Sequence, residues 1–96
     1  MRYRLSVPVI FRWKNESGSR RICKGFTRDI STQGVYVYSS DVPAVGTSVR
    51  LEFLFPSLEE SADGLRLRSV GEVVRVESGS QGTGFAAVSE FTRFER

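Results

Sequence analysis

The sequence has no histidine and only one cysteine, and these two shortages exclude much of the chemistry a small protein performs. Without histidine there is no side chain that ordinarily exchanges a proton near neutral pH, and the commonest neutral metal ligand is missing. The serines have no imidazole to activate them, so the usual nucleophilic triad cannot be assembled. A lone thiol closes no intrachain disulfide and makes a zinc site or an iron–sulfur cluster implausible. The glycines fit neither the phosphate-loop spacing nor the dinucleotide fingerprint. No apolar run approaches the roughly 18 residues of a membrane span, and Met1 is followed at once by Arg2, Tyr3 and Arg4 rather than by an apolar leader. Together these features predict a cytoplasmic, non-catalytic protein with no metal site or cofactor and no membrane insertion. Glu59, Glu60 and Asp63 lie close together, but in a polar stretch that reads as solvated surface.

What is present suits a folded binding module. Ninety-six residues give room for one domain, 1–96, and one core. A hydrophobic content of 40% with 11% aromatics is globular. The net charge is only +3, yet it is unevenly placed. Arg2, Arg4, Arg12, Lys14, Arg20, Arg21, Lys24 and Arg28 fall in the first 28 residues, against Glu16 alone before Asp29. Such a half suits an anionic partner, and equally a solvated basic face.

Alternating hydrophobicity marks about six strands. Leu5 to Trp13 places Val7, Val9, Phe11 and Trp13 on one face, and Pro8 predicts an edge position or a bulge. Arg21 to Ile30 is the returning strand, with Cys23 packed in it as a small hydrophobe. Ser31 to Gly34 is a turn, where Gly34 serves either a positive φ or a place too tight for a side chain. Val35 to Tyr38, Thr47 to Phe55, Leu65 to Glu77 (broken at Gly71) and Thr83 to Val88 complete the set. Phe91 and Phe94, three apart, predict a short helix over 89–96. The pattern as a whole predicts an all-β, six-stranded antiparallel barrel, because closure pairs the edges that a small open sheet would expose.

One segment stands out as a binding constellation: Arg28-Asp29-Ile30-Ser31-Thr32-Gln33-Gly34. The two-residue strand period turns Ile30 inward and Asp29 and Ser31 the other way. Asp29 accepts hydrogen bonds from an N–H edge or an arginine, Ser31 donates and accepts, and Gly34 permits close approach. The same residues also suit a turn in which they satisfy backbone groups. Arg2 and Arg4 precede the first strand, and an arginine fork grips phosphate and stacks on a base. A flexible arm over 1–5 would close such groups over a nucleotide; a solvated terminus is the plainer alternative.

In their order and spacing these pieces resemble the PilZ domain family. Its hallmarks are an arginine pair, R-x-x-x-R, before the first barrel strand and a D/N-x-S-x-x-G motif after the second. Asp29, Ser31 and Gly34 match the second motif completely. Val7-Pro8-Val9, Gly71-Glu72-Val73-Val74-Arg75-Val76 and Thr83-Gly84-Phe85-Ala86 resemble its first and later strands. The resemblance implies a PilZ-like barrel that binds the bacterial second messenger cyclic di-GMP. Arginines would clamp phosphates and stack on guanine, while the Asp and Ser contact the guanine edge.

The first motif departs from the pattern. Arg2 matches the second arginine, its partner would fall before Met1, and Arg4 stands at the wrong spacing. This leaves three readings: a start further upstream, substitution by Arg4, Arg28 or an arginine beyond the barrel's rim, or a PilZ-like adaptor for a motility, pilus or secretion component that needs no ligand. The expected site is Arg2, Asp29, Ser31 and Gly34, with Arg4 and Arg28 in support. It would bind cyclic di-GMP more weakly than a complete pair and relay it, through ordering of the arm, to a protein partner in trans. A nucleic-acid-binding barrel using Arg20, Arg21 and Lys24, with Tyr36 and Tyr38 as exposed stacking platforms, ranks lowest, because the total charge is small.

Overall fold

Alternation decides which side of each strand is buried. In a computed structural model the chain forms β1 (Arg2–Tyr3), β2 (Pro8–Lys14), β3 (Arg20–Ser31), β4 (Gly34–Tyr38), β5 (Ser48–Phe55), β6 (Leu65–Gly79) and β7 (Gly82–Glu95). The structure describes residues 2–3, 6–56, 64–80 and 82–95, with side chains over 6–56, 64–80 and 82–88. Every pairing is antiparallel, in the order β3-β2-β5-β6-β7-β4, and β4 returns to β3. Six strands thus close a barrel with no free edge between them. The remaining strand, β1, lies along β3 in line with β2.

The interior is filled by the apolar phase of each strand. Val9, Phe11 and Trp13 of β2, Val49, Leu51 and Phe53 of β5, Leu67 and Val73 of β6 and Phe85 of β7 are all buried. Phe11 meets Phe85 edge-on at 5.0 Å between centroids and stacks on Trp13 at 5.4 Å. Such geometry adds to the apolar burial that drives the barrel together. Cys23 and Ile30 pack against this cluster from the side; seven residues apart on one strand, they reach the same side because a bulge lies between them.

Three expectations change or sharpen. No helix occurs among the described residues: 89–95 continue β7, paired as far as Arg66↔Glu95. The three-residue spacing of Phe91 and Phe94 spans a bulge, since Ser69 faces Phe91 and Arg68 faces Arg93, leaving Thr92 extra. A bulge breaks the two-residue period and so imitates a helical interval. Gly71 does not break β6; it pairs in register with Val49 and Ser89, and the irregularities lie at Arg68/Ser69 and Val73/Arg75. Pro8 begins β2, and a register change does accompany it. Tyr3 faces Ile30 and Pro8 faces Phe26, so the N-terminal side has one residue more than β3 across this stretch. Thr27 covers the irregularity: its Oγ1 accepts from the Val7 N–H at 2.9 Å, and its own N–H donates to the Val7 carbonyl at 3.0 Å. Thr27 is 1% exposed, and a buried hydroxyl without a partner there would be costly.

Candidate functional site at the β3–β4 turn

The site begins with a bulge. Thr27 faces Val37 and Asp29 faces Tyr36, so Arg28 is the extra residue of β3. Its Nε donates to Asp29 Oδ2 at 2.8 Å, and its guanidinium lies 3.9 Å from the centroid of the Tyr36 ring. A bidentate-capable cation is therefore held between a carboxylate and an aromatic face. The hydrogen bond from Arg28 to Asp29 is the largest influence keeping the guanidinium protonated beyond its ordinary range. Asp29 is 8% exposed and Tyr36 is 3% exposed. Burial, more than the neighbouring charges, pushes the Tyr36 phenol up.

Room for Tyr36 comes from β7. A Cβ on Gly84 would meet the Tyr36 ring at 2.7 Å and the Val37 carbonyl at 2.6 Å. The sequence Thr83-Gly84-Phe85-Ala86 thus sends Phe85 into the core and leaves space outside for a tyrosine. Tyr36 was expected as an exposed stacking platform, and this is corrected: Arg28 lies over its ring, and Tyr38 meets it edge-on at 5.4 Å. Arg28, Tyr36 and Tyr38 face a depression of about 450 Å³ beside the β6–β7 hairpin, whose lining does not include Asp29, Ser31 or Gly34.

Ser31 and Gly34 close the turn. Ser31 Oγ accepts from the Gln33 N–H at 3.2 Å and donates to the Gly34 carbonyl at 3.4 Å. Of the two reasons offered for Gly34, close approach is the right one. Its φ is not positive, whereas a Cβ there would lie 2.5 Å from the Ala87 carbonyl oxygen of β7. The backbone of Arg2 pairs with Ser31, and that of Tyr3 with Ile30, so β1 runs beside the same turn. The barrel therefore gathers Arg2, Arg28, Asp29, Ser31 and Gly34 at one rim, while Arg4 lies outside the described residues. Sequence reasoning did not find Thr27, nor the place of Tyr36 beneath Arg28. A strand–strand register was needed for both.

Elsewhere, Cys23 Sγ lies 3.6 Å from Asp41 Oδ2, and Asp41 also pairs with Arg21. Burial first, and Asp41 second, push the thiol up. Among the described residues no three acidic, cysteine or histidine side chains gather as a metal set. Glu59, Glu60 and Asp63 lie outside the described residues.

Comparison with known proteins agrees with this architecture. The PilZ domain model matches residues 1–94. Among solved structures, the inhibitor of motility MotI/DgrA of Bacillus subtilis superposes with a TM-score of 0.66 at 18% identity, covering 98% of this chain and 42% of that one. The chain thus spans less than half of the structure it resembles. Comparison with curated protein sequences finds no match.

Proposed function

We propose that this chain, which belongs to the PilZ domain family, binds cyclic di-GMP at the β3–β4 rim without catalysing a reaction, and passes the bound state to a partner protein. The observation that carries the proposal is the convergence of a nearly buried carboxylate, Asp29, with the backbone of Arg2 on either side of Ser31. A carboxylate has about four lone-pair sites. Asp29 would accept from the N1–H and N2–H₂ edge of guanine, alongside Arg28 or in exchange for partners it holds in the free chain. Ser31 adds a donor and an acceptor beside it. Arg2 and Arg28 supply positive charge for a ligand carrying two phosphates, and the Arg28–Tyr36 stack offers a planar surface. A two-residue strand such as β1 has little pairing of its own. A ligand bridging β1 and Asp29 thus adds order where the barrel supplies little, and changes the surface shown to a partner.

Calorimetric titration of cyclic di-GMP into the chain, with Asp29→Ala in parallel, tests this. Saturable heat that the substitution removes supports the proposal; no heat at high ligand concentration sinks it. The second reading, a ligand-independent adaptor, is favoured by one observation. Gly34 is demanded by the Ala87 carbonyl and Ser31 caps its own turn, so two of the three motif residues already have structural work. On that reading a partner complex forms equally well with Asp29→Ala. Placement in the cytoplasm accords with both readings.

A further inference from the structure

Among the described side chains, most of the basic charge lies away from the β3–β4 rim, on the outer face of β3, β2, β5 and β6, where the pairing registers set residues side by side. One cross-strand row reads Lys24, Ile10, Glu52, Arg68, and the next reads Ile22, Arg12, Arg50, Val70. Residues directly opposite one another share a face, with Cβ atoms about 5 Å apart. Glu52 is 7% exposed and serves as a hub: Arg66, Arg12 and Arg68 approach it at 3.0, 3.5 and 4.0 Å. Three guanidiniums surround this one carboxylate, and Lys24 and Arg50 add to them. β7 continues the rows with Arg93 opposite Arg68, Glu90 opposite Val70 and Glu95 opposite Arg66, so cations outnumber carboxylates on this face. The adjoining row adds Arg20 and Lys14 on one side and Glu72, opposite Ser48, on the other. Interleaved with the cations are side chains that water does not favour: Ile22 is 65% exposed, Val70 59% and Phe26 57%. A hollow of about 1360 Å³ opens beside the second row, with Arg12, Ile22, Arg50 and Val45 in its lining. That exceeds the roughly 300–1,000 Å³ of small-molecule pockets.

We infer that this face is a docking surface for an acidic segment of a partner protein, one that alternates carboxylates with apolar side chains. Charge complementarity selects the carboxylates. Ile22 and Val70, at either end of the Arg12–Arg50 pair, select apolar residues flanking those carboxylates. Arginine and exposed apolar side chains set together are the composition of protein interfaces. A polynucleotide would call for stacking aromatics, and neither of these two rows carries one on β2, β3, β5 or β6; Phe26 stands on the row beyond, opposite Tyr38. Because Glu52 already holds three arginines in place, less side-chain freedom is lost on docking.

The probe is a fluorescein-labelled peptide of about a dozen residues alternating Glu and Leu, titrated into the full chain by fluorescence anisotropy. Its controls are the same peptide with Gln for Glu, a single-stranded oligonucleotide, and vesicles containing anionic phospholipid. We expect saturable binding of the Glu peptide that weakens about tenfold with Arg50→Glu, falls with added salt and drops with Val70→Ser. The Gln peptide is expected not to bind. Arg50→Ala, checked by its melting transition, separates a lost contact from a lost fold. Cyclic di-GMP heats are expected to be unchanged in these variants, so this surface stands or falls apart from the ligand proposal. No binding of the Glu peptide, tighter binding of the oligonucleotide or vesicles, or indifference to Arg50→Glu overturns the inference.

Discussion

Asp29 and Glu52 are both carboxylates on the outside of the barrel, and both are almost fully buried, yet their surroundings differ. Asp29 has Arg28 beside it, placed by a one-residue bulge and backed by Tyr36. Glu52 sits in regular sheet and gathers three arginines from two neighbouring strands. At the first site an arginine is fixed against an aromatic ring. At the second three arginines converge on one anion. A buried carboxylate on a barrel wall is therefore an organiser of cations, and the bulge or the regular register around it decides how it sets them out.

The comparison can be pressed hardest at Gly34, which belongs to the Asp29 rim. Gly34→Ala forces a Cβ against the Ala87 carbonyl, and the expected loss is about 2–3 kcal/mol in chemical denaturation, as for other overpacked sites. If ligand binding also fails in that variant, the loss says nothing about ligand contact. Next in size is Glu52→Gln, which leaves Arg12, Arg66 and Arg68 facing one another without their shared anion. Because those arginines are about half exposed, water and salt screen them, and we expect a loss of about 1–2 kcal/mol that shrinks in high salt. Cyclic di-GMP heats should not change. Asp29→Ala removes the ion pair with Arg28, which is a third exposed, for a stability cost of about 1 kcal/mol, but should weaken ligand binding by at least about tenfold. An Asp29→Ala variant that binds normally would move the site elsewhere on the rim.

The smallest effect is expected at Cys23, which packs against the core instead of joining either cluster. Burial and Asp41 raise its pKa, so the neutral thiol is the favoured form in the folded chain. Its contribution to stability is complete below the unfolded-state thiol value and is lost as pH rises through the raised folded value. Alkylation should accordingly be slow near pH 8 and accelerate only above the ordinary thiol range, about 8.5. Asp41→Asn should speed it. Equal rates in the two proteins would show that burial alone governs the thiol.

Unlike β3, whose Ile22 and Phe26 stand outward, β2 and β5 were legible because their apolar phase is clean: Val9, Phe11 and Trp13, and Val49, Leu51 and Phe53, leave little choice of face. The bulges were not. A single extra residue at Arg28, Val74 or Thr92 is set by what lies across the strand, and no local pattern announces it. That is why Phe91 and Phe94 read as helical, and why Tyr36 read as open when Arg28 folds over it. Asp29, Ser31 and Gly34 were found by their spacing, while the reason for Gly34 lay in a strand more than fifty residues away. The basic surface was visible only as a composition bias. Its second half, Arg50, Arg66 and Arg68, joins the first through pairing that the sequence does not spell out.

The absence of a Cβ at Gly34 has a mechanical consequence. With the turn pressed directly onto the β7 backbone, there is no side-chain cushion to take up a push. Gly34 lies opposite Val88, and Val88 opposite Glu72 at the margin of the basic face. Two rungs of hydrogen-bonded backbone thus form a short, stiff strut between the rim and that face. A displacement of the turn by even a fraction of an ångström has to be taken up by the strand beyond it.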